Sequence, residues 1–325
     1  MSLPTAEGSS RGATRAATHV PLLGVLLLAF VGLSWGVNWP LMKISLSAMP
    51  VLPFRLLGII VGAIGILTVT ALRGESLRVP RSDRGRLLLC SLLNVVGWQM
   101  LIAFGLDHME SGAASLLAFT MPFWVVVFGC LVLGERITAL QILGLVLGMT
   151  GVVVLLFPSR AELLAHPYGP VLIMGAAVTW ALGVLAIKRH QWAMTSFGIA
   201  GWQLLIATFV VGIPCLLFSD MSGWASDWST VQLLSVVYCV TVPMIAGHLA
   251  FFHSVRLLPP VLSSMGTLLV PVVGVLSGHL LLGEALGVNT ILAIVLLVGG
   301  LGLVLLLPQI TAGSRRPPAG PGAAR

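Results

Sequence analysis

The chain has 325 residues, of which 58% are hydrophobic and only 8% charged, and its formal net charge is +7. Soluble domains carry roughly 25% charged residues, so this composition cannot cover a water-facing surface and excludes a soluble globular fold. The basic excess lies in short segments between apolar runs, where membrane orientation and anionic headgroups account for it and nucleic-acid binding is not needed.

Residues 1–20 mix Ser, Thr, Gly and Ala with Arg11 and Arg15 and read as a disordered tail. From Pro21 onward apolar runs follow one another: 21–42, 50–72, 87–107, 111–133 and 138–157, then 169–187, 196–218, 231–253, 260–282 and 286–307. Each is close to the ~20 residues that cross a bilayer core. The runs are continuous rather than alternating, so they predict helices and not barrel strands. In lipid the backbone has to bond internally, and a helix does this within one segment. The first run is longer than a signal-peptide core and has no small-residue cleavage site, so it reads as an uncleaved span. Residues 158–168 connect two five-helix units, 21–157 and 169–308, and 309–325, with Arg315, Arg316 and three prolines, form a second disordered tail. The expected class is an all-α integral membrane protein with about ten transmembrane helices.

Lys and Arg placement sets the expected orientation. With the N-terminus in the cytoplasm, all of the 17 Lys and Arg except Lys43, Arg55 and Arg160 fall on the cytoplasmic side. An even number of spans then returns the C-terminus to the cytoplasm. The four cysteines (Cys90, Cys130, Cys215 and Cys239) lie inside apolar runs without a CxxC pair and are expected to be buried free thiols.

A shift of 149 residues lays 121–156 over 270–305 without a gap. Five non-aliphatic positions match: Pro122/Pro271, Gly129/Gly278, Gly134/Gly283, Glu135/Glu284 and Gly151/Gly300. The starts of the halves correspond too, with WGVNWPLMK (Trp35 to Lys43) against WALGVLAIK (Trp180 to Lys188). Each half has an odd number of helices, so the second enters from the opposite face. Glu135 and Lys188 are expected at the cytoplasmic face, Glu284 and Lys43 at the external one. Such inverted repeats build alternating-access carriers around a midplane site.

The paired Trp-to-Lys segments, the two copies of P-x12-E (Pro122 to Glu135 and Pro271 to Glu284) and the runs that carry the two Glu, LVLGERITALQILGLVLGMTGVVVLL and HLLLGEALGVNTILAIVLLVGGLGLVLL, resemble the EamA-type branch of the drug/metabolite transporter superfamily. The resemblance spans Pro21 to Pro308. It implies ten helices with both ends in the cytoplasm, transport of small solutes and often export of amino acids or related metabolites. It also implies a central cavity lined by helices 1, 3, 4, 6, 8 and 9.

Polar and aromatic groups inside spans are the candidate lining, because such groups usually face the bundle interior. They are Trp35, Asn38, Asn94, Trp98, Gln99, Thr120, Trp124, Trp180, Gln203, Tyr238, Thr241, His248 and Thr267. Ser91, Asn94 and Trp98 fall at helical spacing on one expected stripe, and Tyr238, Thr241 and His248 on another. Lys43, Glu135, Lys188 and Glu284 are candidate gate or fold-stabilising residues. Bonds to the helix's own backbone are the plainer reading for the hydroxyls, as solvation is for the charges at helix ends.

No GxxxxGK[ST] loop is present, which argues against ATP-driven pumping by this chain alone. His248 is the best intramembrane proton acceptor, although a histidine that only hydrogen-bonds the core fits as well. No metal, cofactor or catalytic residue is expected: His248 and His253 diverge on their helix, His279 lies near the opposite face, and GxSxG and HExxH are missing. A small-molecule substrate and the lipid bilayer are the expected partners. Proton coupling and pairing into a homodimer stay open, as do the alternatives of a membrane scaffold, a receptor or a lipid-linked sugar carrier on the same fold.

Overall fold

The computed structural model describes residues 21–135, 137–157, 167–219, 228–258 and 260–305. The expected tails, most of the 158–168 connection, Arg136, Arg160, Trp224 and the side chains of Ser263 and Ser264 lie outside the described residues.

Ten helical units follow one another: α1 (Leu22–Leu46), α2 (Val51–Leu72), α3 (Arg84–Leu106), α4 (Ser111–Ala118 and Met121–Leu133), α5 (Ala139–Leu156), α6 (Tyr168–Lys188), α7 (Ser196–Phe218), α8 (Thr230–Thr241 continuing to Leu257), α9 (Pro260–Leu282) and α10 (Val288–Leu305). Among the described residues nine of these are long and apolar enough to cross a membrane, and Thr267–Leu282 within α9 is a shorter apolar stretch. Large apolar side chains such as Leu72, Leu131, Leu216, Phe218 and Leu280 are more than 70% exposed. Lipid is the medium in which that exposure carries no hydrophobic penalty.

The packing pattern repeats under exchange of the two halves. Helix α1 packs on α9, and its counterpart α6 packs on α4; α1 also lies against α8, and α6 against α3. Helices α2 with α7, α4 with α9 and α5 with α10 pair with their own counterparts. This is the contact map of two five-helix units related by a pseudo-twofold axis in the membrane plane. It is an inverted repeat.

Each duplicated residue has a place in this arrangement. Gly134 and Gly283 end α4 and α9 with φ of +66° and +71°, a left-handed conformation that residues with a Cβ adopt at a cost. The following Glu135 and Glu284 N–H groups return to the carbonyls of Gly129 and Gly278. A Cβ on Gly129 would lie 2.8 Å from the Glu135 carboxylate, and one on Gly278 would strike that of Glu284. Gly151 and Gly300 lie in the α5–α10 seam, where a Cβ on Gly300 would lie 2.5 Å from the Gly144 carbonyl oxygen.

Two features depart from an uninterrupted helical period. Helix α3 passes through a π-helical stretch, Ser91–Gly97, and α8 through another, Val242–Gly247. They occupy equivalent places in the two halves, and each lies against the first helix of the other half, α6 and α1 respectively. In α8 the stretch contains Pro243, which has no N–H to give to the preceding turn. Helix α4 breaks at Phe119–Thr120, just before Pro122. The break is bridged by short turns from Thr120 N–H to Leu117 O and from Phe123 N–H to Thr120 O.

Candidate functional site

The π-helical stretches decide where the candidate lining goes. Wider turns re-aim side chains, and the expected single stripe of Ser91, Asn94 and Trp98 is divided. Ser91 Oγ donates to the Gln203 backbone carbonyl (2.6 Å) and Asn94 Nδ2 to Gln203 Oε1 (3.5 Å), both on α7. Trp98 instead meets Trp180 of α6, with ring centroids 6.2 Å apart. Asn94 also lies on Gly183 of α6, where any Cβ would strike its amide.

The matching crossing in the other half joins α1 to α8. Trp35 Nε1 and His248 Nδ1 both bond the Pro243 carbonyl, at 3.2 and 3.0 Å, and the two rings are 5.4 Å apart. Tyr238 adds a bond from its hydroxyl to the Ser34 carbonyl (3.0 Å). The pseudo-twofold relates Trp35 to Trp180 and His248 to Trp98, so an aromatic pair stands at each crossing between halves. Thr120 and Trp124 of α4 both reach Met174 Sδ of α6, each at 3.4 Å.

The other candidates stand apart. Thr241 turns its hydroxyl back to the Val237 carbonyl, beside the exposed Leu234 and Val237. Asn38 is half-buried with its Oδ1 unpaired, and Thr267 is half-buried on α9. The cysteines are free thiols, with Cys90, Cys215 and Cys239 buried.

The four ionic candidates separate by end. At one, Glu284 accepts from the backbone N–H groups of Ser111 (2.6 Å) and Gly112 (2.8 Å), which are the first turn of α4. Unpaired N–H groups and the positive end of the helix dipole make this a favourable seat for a carboxylate. Beside it Lys43 donates to the Met109 carbonyl (2.6 Å). Glu110, in the same connection, is raised above the usual carboxylate range, first by burial and then by the neighbouring Glu284, with Lys43 opposing. At the other end Glu135 meets Lys188 at 3.2 Å, with the two side chains 49% and 59% exposed. The shift of 149 residues puts Pro260 in the place of Ser111, and proline has no N–H to offer Glu135. The halves are therefore latched unequally.

A second group at the Glu135 end was missed in the sequence because its members lie in loops of both halves. Asp83, 1% exposed, accepts from Ser82 Oγ (2.9 Å), pairs with His190 Nε2 (3.0 Å) and receives the Ala193 N–H (3.4 Å). The connection before α3 is fastened further by Trp202 Nε1 to the Leu77 carbonyl (3.0 Å). Thr195 and Arg73, in that order, hold Glu75 below the usual carboxylate range. Asp83 is likewise lowered, chiefly by the His190 hydrogen bond. A lowered pKa stabilises the fold above the unfolded value of about 4 and is lost as pH falls through the lower folded value. Acidification to pH 5 is therefore expected to leave the Asp83 contribution intact. Asp83→Asn is expected to lower the melting temperature at pH 7 and to flatten its fall below pH 4, as followed by differential scanning fluorimetry. An unchanged profile would show that the loop contact is idle.

Arg55 was read in the sequence only as an orientation charge. It is 9% exposed and lies about one turn inside α2, within an otherwise apolar run, a setting in which a charge is costly.

Two inverted five-helix units, crossed by aromatic pairs and latched at opposite ends, define a polytopic membrane protein of the inverted-repeat type. The chain belongs to the EamA-like transporter family, whose pattern matches it twice, over residues 22–157 and 167–306. It is 30% identical over 281 residues to "Uncharacterized transporter YvbV" of Bacillus subtilis (strain 168), covering 86% of this chain and 90% of that one. It is 27% identical to "Uncharacterized inner membrane transporter YedA" of Escherichia coli (strain K12), over 88% and 91% of the two chains. A "Probable amino-acid metabolite efflux pump" of the same Escherichia coli strain is 28% identical over 86% and 93%. A solved crystal structure with 21% identity has the same fold, with a TM-score of 0.61 over 87% of this chain and 98% of that one.

Proposed function

We propose that the chain is a secondary transporter of the inner membrane that exports a small organic solute, an amino acid or related metabolite, by alternating access, with both termini in the cytoplasm. The observation that carries this reading is the exchange symmetry of the packing. The α1–α8 and α1–α9 contacts of one half are reproduced by α6–α3 and α6–α4 of the other, so a rocking motion that opens one end has an equivalent that opens the opposite end. The names of the YedA relative and of the efflux pump relative support the membrane and the solute class, and the Lys and Arg distribution supports the orientation.

The test is a metabolite comparison of medium and cytoplasm with and without overexpression, followed by flux of the changed compounds in proteoliposomes. Accumulation of a compound in the medium and saturable flux that reverses with its gradient are expected. Flux that does not saturate, or no change in any metabolite, would remove the reading.

Proton acceptance in this cycle belongs to His248. Its Nδ1 is engaged by the Pro243 carbonyl, so Nε2 is the nitrogen assigned to take a proton. His248→Gln is expected to abolish most of the flux driven by a pH gradient, while solute exchange at equal pH continues. Gradient-driven flux equal to that of the parent would assign His248 to packing alone.

A further inference from the structure

We propose that Arg55 is the anchor for a carboxylate on the transported solute; the assignment rests on the transporter reading above and narrows its substrate class. A guanidinium inside a membrane bundle is costly unless it is paired. No acidic side chain among the described residues pairs with Arg55. Its partners are neutral: Nη1 donates to Gln99 Oε1 (2.8 Å), Nη2 reaches Met42 Sδ (2.7 Å), and the Phe54 ring lies 5.3 Å from the guanidinium carbon. Sulfur is a weak acceptor, and Nε has no partner at all.

Arg55 borders a small cavity of about 20 Å³ together with Gly58, Gln99, Cys239, Val240 and Met244. That volume is about the size of one water, so the site is shut around Arg55. The cavity joins α2, α3 and α8, and both π-helical stretches lie in helices of this wall. Gln99 follows the first stretch by two residues and Met244 is inside the second. The site therefore lies where the two halves move against each other. An arginine fork matches the two oxygens of a carboxylate, and Nε with the uncommitted N–H groups of the terminal nitrogens supplies it. A purely structural cross-link between α1, α2 and α3 would need the Gln99 and Met42 contacts but would leave the Nε–H and the charge uncompensated. A carboxylate compensates both.

The experiment uses the purified full chain in detergent and follows thermal unfolding with each proteinogenic amino acid, its carboxamide, and inorganic phosphate. At least one amino acid is expected to raise the melting temperature by about 2 °C or more when present at roughly ten times its dissociation constant, while its carboxamide does not. Arg55→Gln should weaken that response roughly tenfold or more, the scale of one charged hydrogen bond. Arg55→Lys, which keeps the charge and loses the fork, should fall between. The comparison of acid with amide in the unaltered chain stands even where Arg55→Gln folds poorly.

Three results would overturn the assignment: equal stabilisation by acid and amide, an undiminished response in Arg55→Gln, or stabilisation by phosphate in place of carboxylates. Loss of flux in proteoliposomes with the carboxylate response intact would instead overturn the transporter reading and leave the anion site standing.

Discussion

Replacing Glu284 by Gln is expected to reduce solute flux about tenfold or more, while Glu135→Gln changes it by less than about threefold. The difference follows from their partners. Glu284 accepts two short bonds from the first N–H groups of α4, and hydrogen bonds to a charged group are each worth about 1.5–3 kcal/mol. Glutamine keeps one acceptor oxygen and loses the charge that the helix terminus favours. Glu135 has an ion pair half open to solvent, and such pairs contribute about 0–1 kcal/mol. Gly278→Ala is expected to copy the Glu284 defect with the glutamate still in place, because the added methyl would strike the Glu284 carboxylate and approach Ser111 Oγ at 2.9 Å. Flux per molecule of folded protein in proteoliposomes is the measurement. Equal losses in the two glutamine variants would contradict the unequal latching.

Gly300→Leu is expected to destabilise the fold by about 2 kcal/mol or more. The Cβ alone would lie 2.5 Å from the Gly144 carbonyl oxygen and 2.8 Å from the Gly148 nitrogen. Both are backbone atoms and cannot rotate away. Helices α5 and α10 touch here through Gly144, Gly148, Gly151 and Gly300, the close approach that small residues permit where lipid offers no hydrophobic drive for association. Neighbouring Gly299 and Gly302 face open space, so Gly299→Ala and Gly302→Ala are expected to leave stability unchanged. Size-exclusion monodispersity and melting temperature distinguish these outcomes. A Gly300→Leu protein as stable as the parent would show that the seam is looser than this geometry.

Helix number and the inverted repeat were legible in the sequence because apolar run length and the shift of 149 residues do not depend on side-chain detail. The repeat also marked Gly129/Gly278 and Gly151/Gly300, whose roles became plain only when the groups lying on them were seen. The candidate site was less legible. The stripe of Ser91, Asn94 and Trp98 assumed a constant 3.6-residue period, and in the π-helical stretch Ser91 meets α7, Asn94 lies between α7 and α6, and Trp98 meets α6. His248 was grouped with Tyr238 and Thr241 by the same assumption across Val242–Gly247. Asp83 and His190 belong to loops that no periodicity links. Arg55 carried a signal, an arginine within an apolar run, but counting it for orientation hid its burial.

The proline at the start of α9 has a thermodynamic consequence. Two clasps of different strength cannot hold the two faces of a shuttle equally often. Each 1.4 kcal/mol between them shifts the idle populations tenfold. Glu284 holds its face more firmly than Glu135 holds the other, while the Asp83 contacts with His190 and Ala193 add to the Glu135 end, so the sum of these contacts sets how often each face of the empty protein opens and the solute gradient sets the direction of net flow.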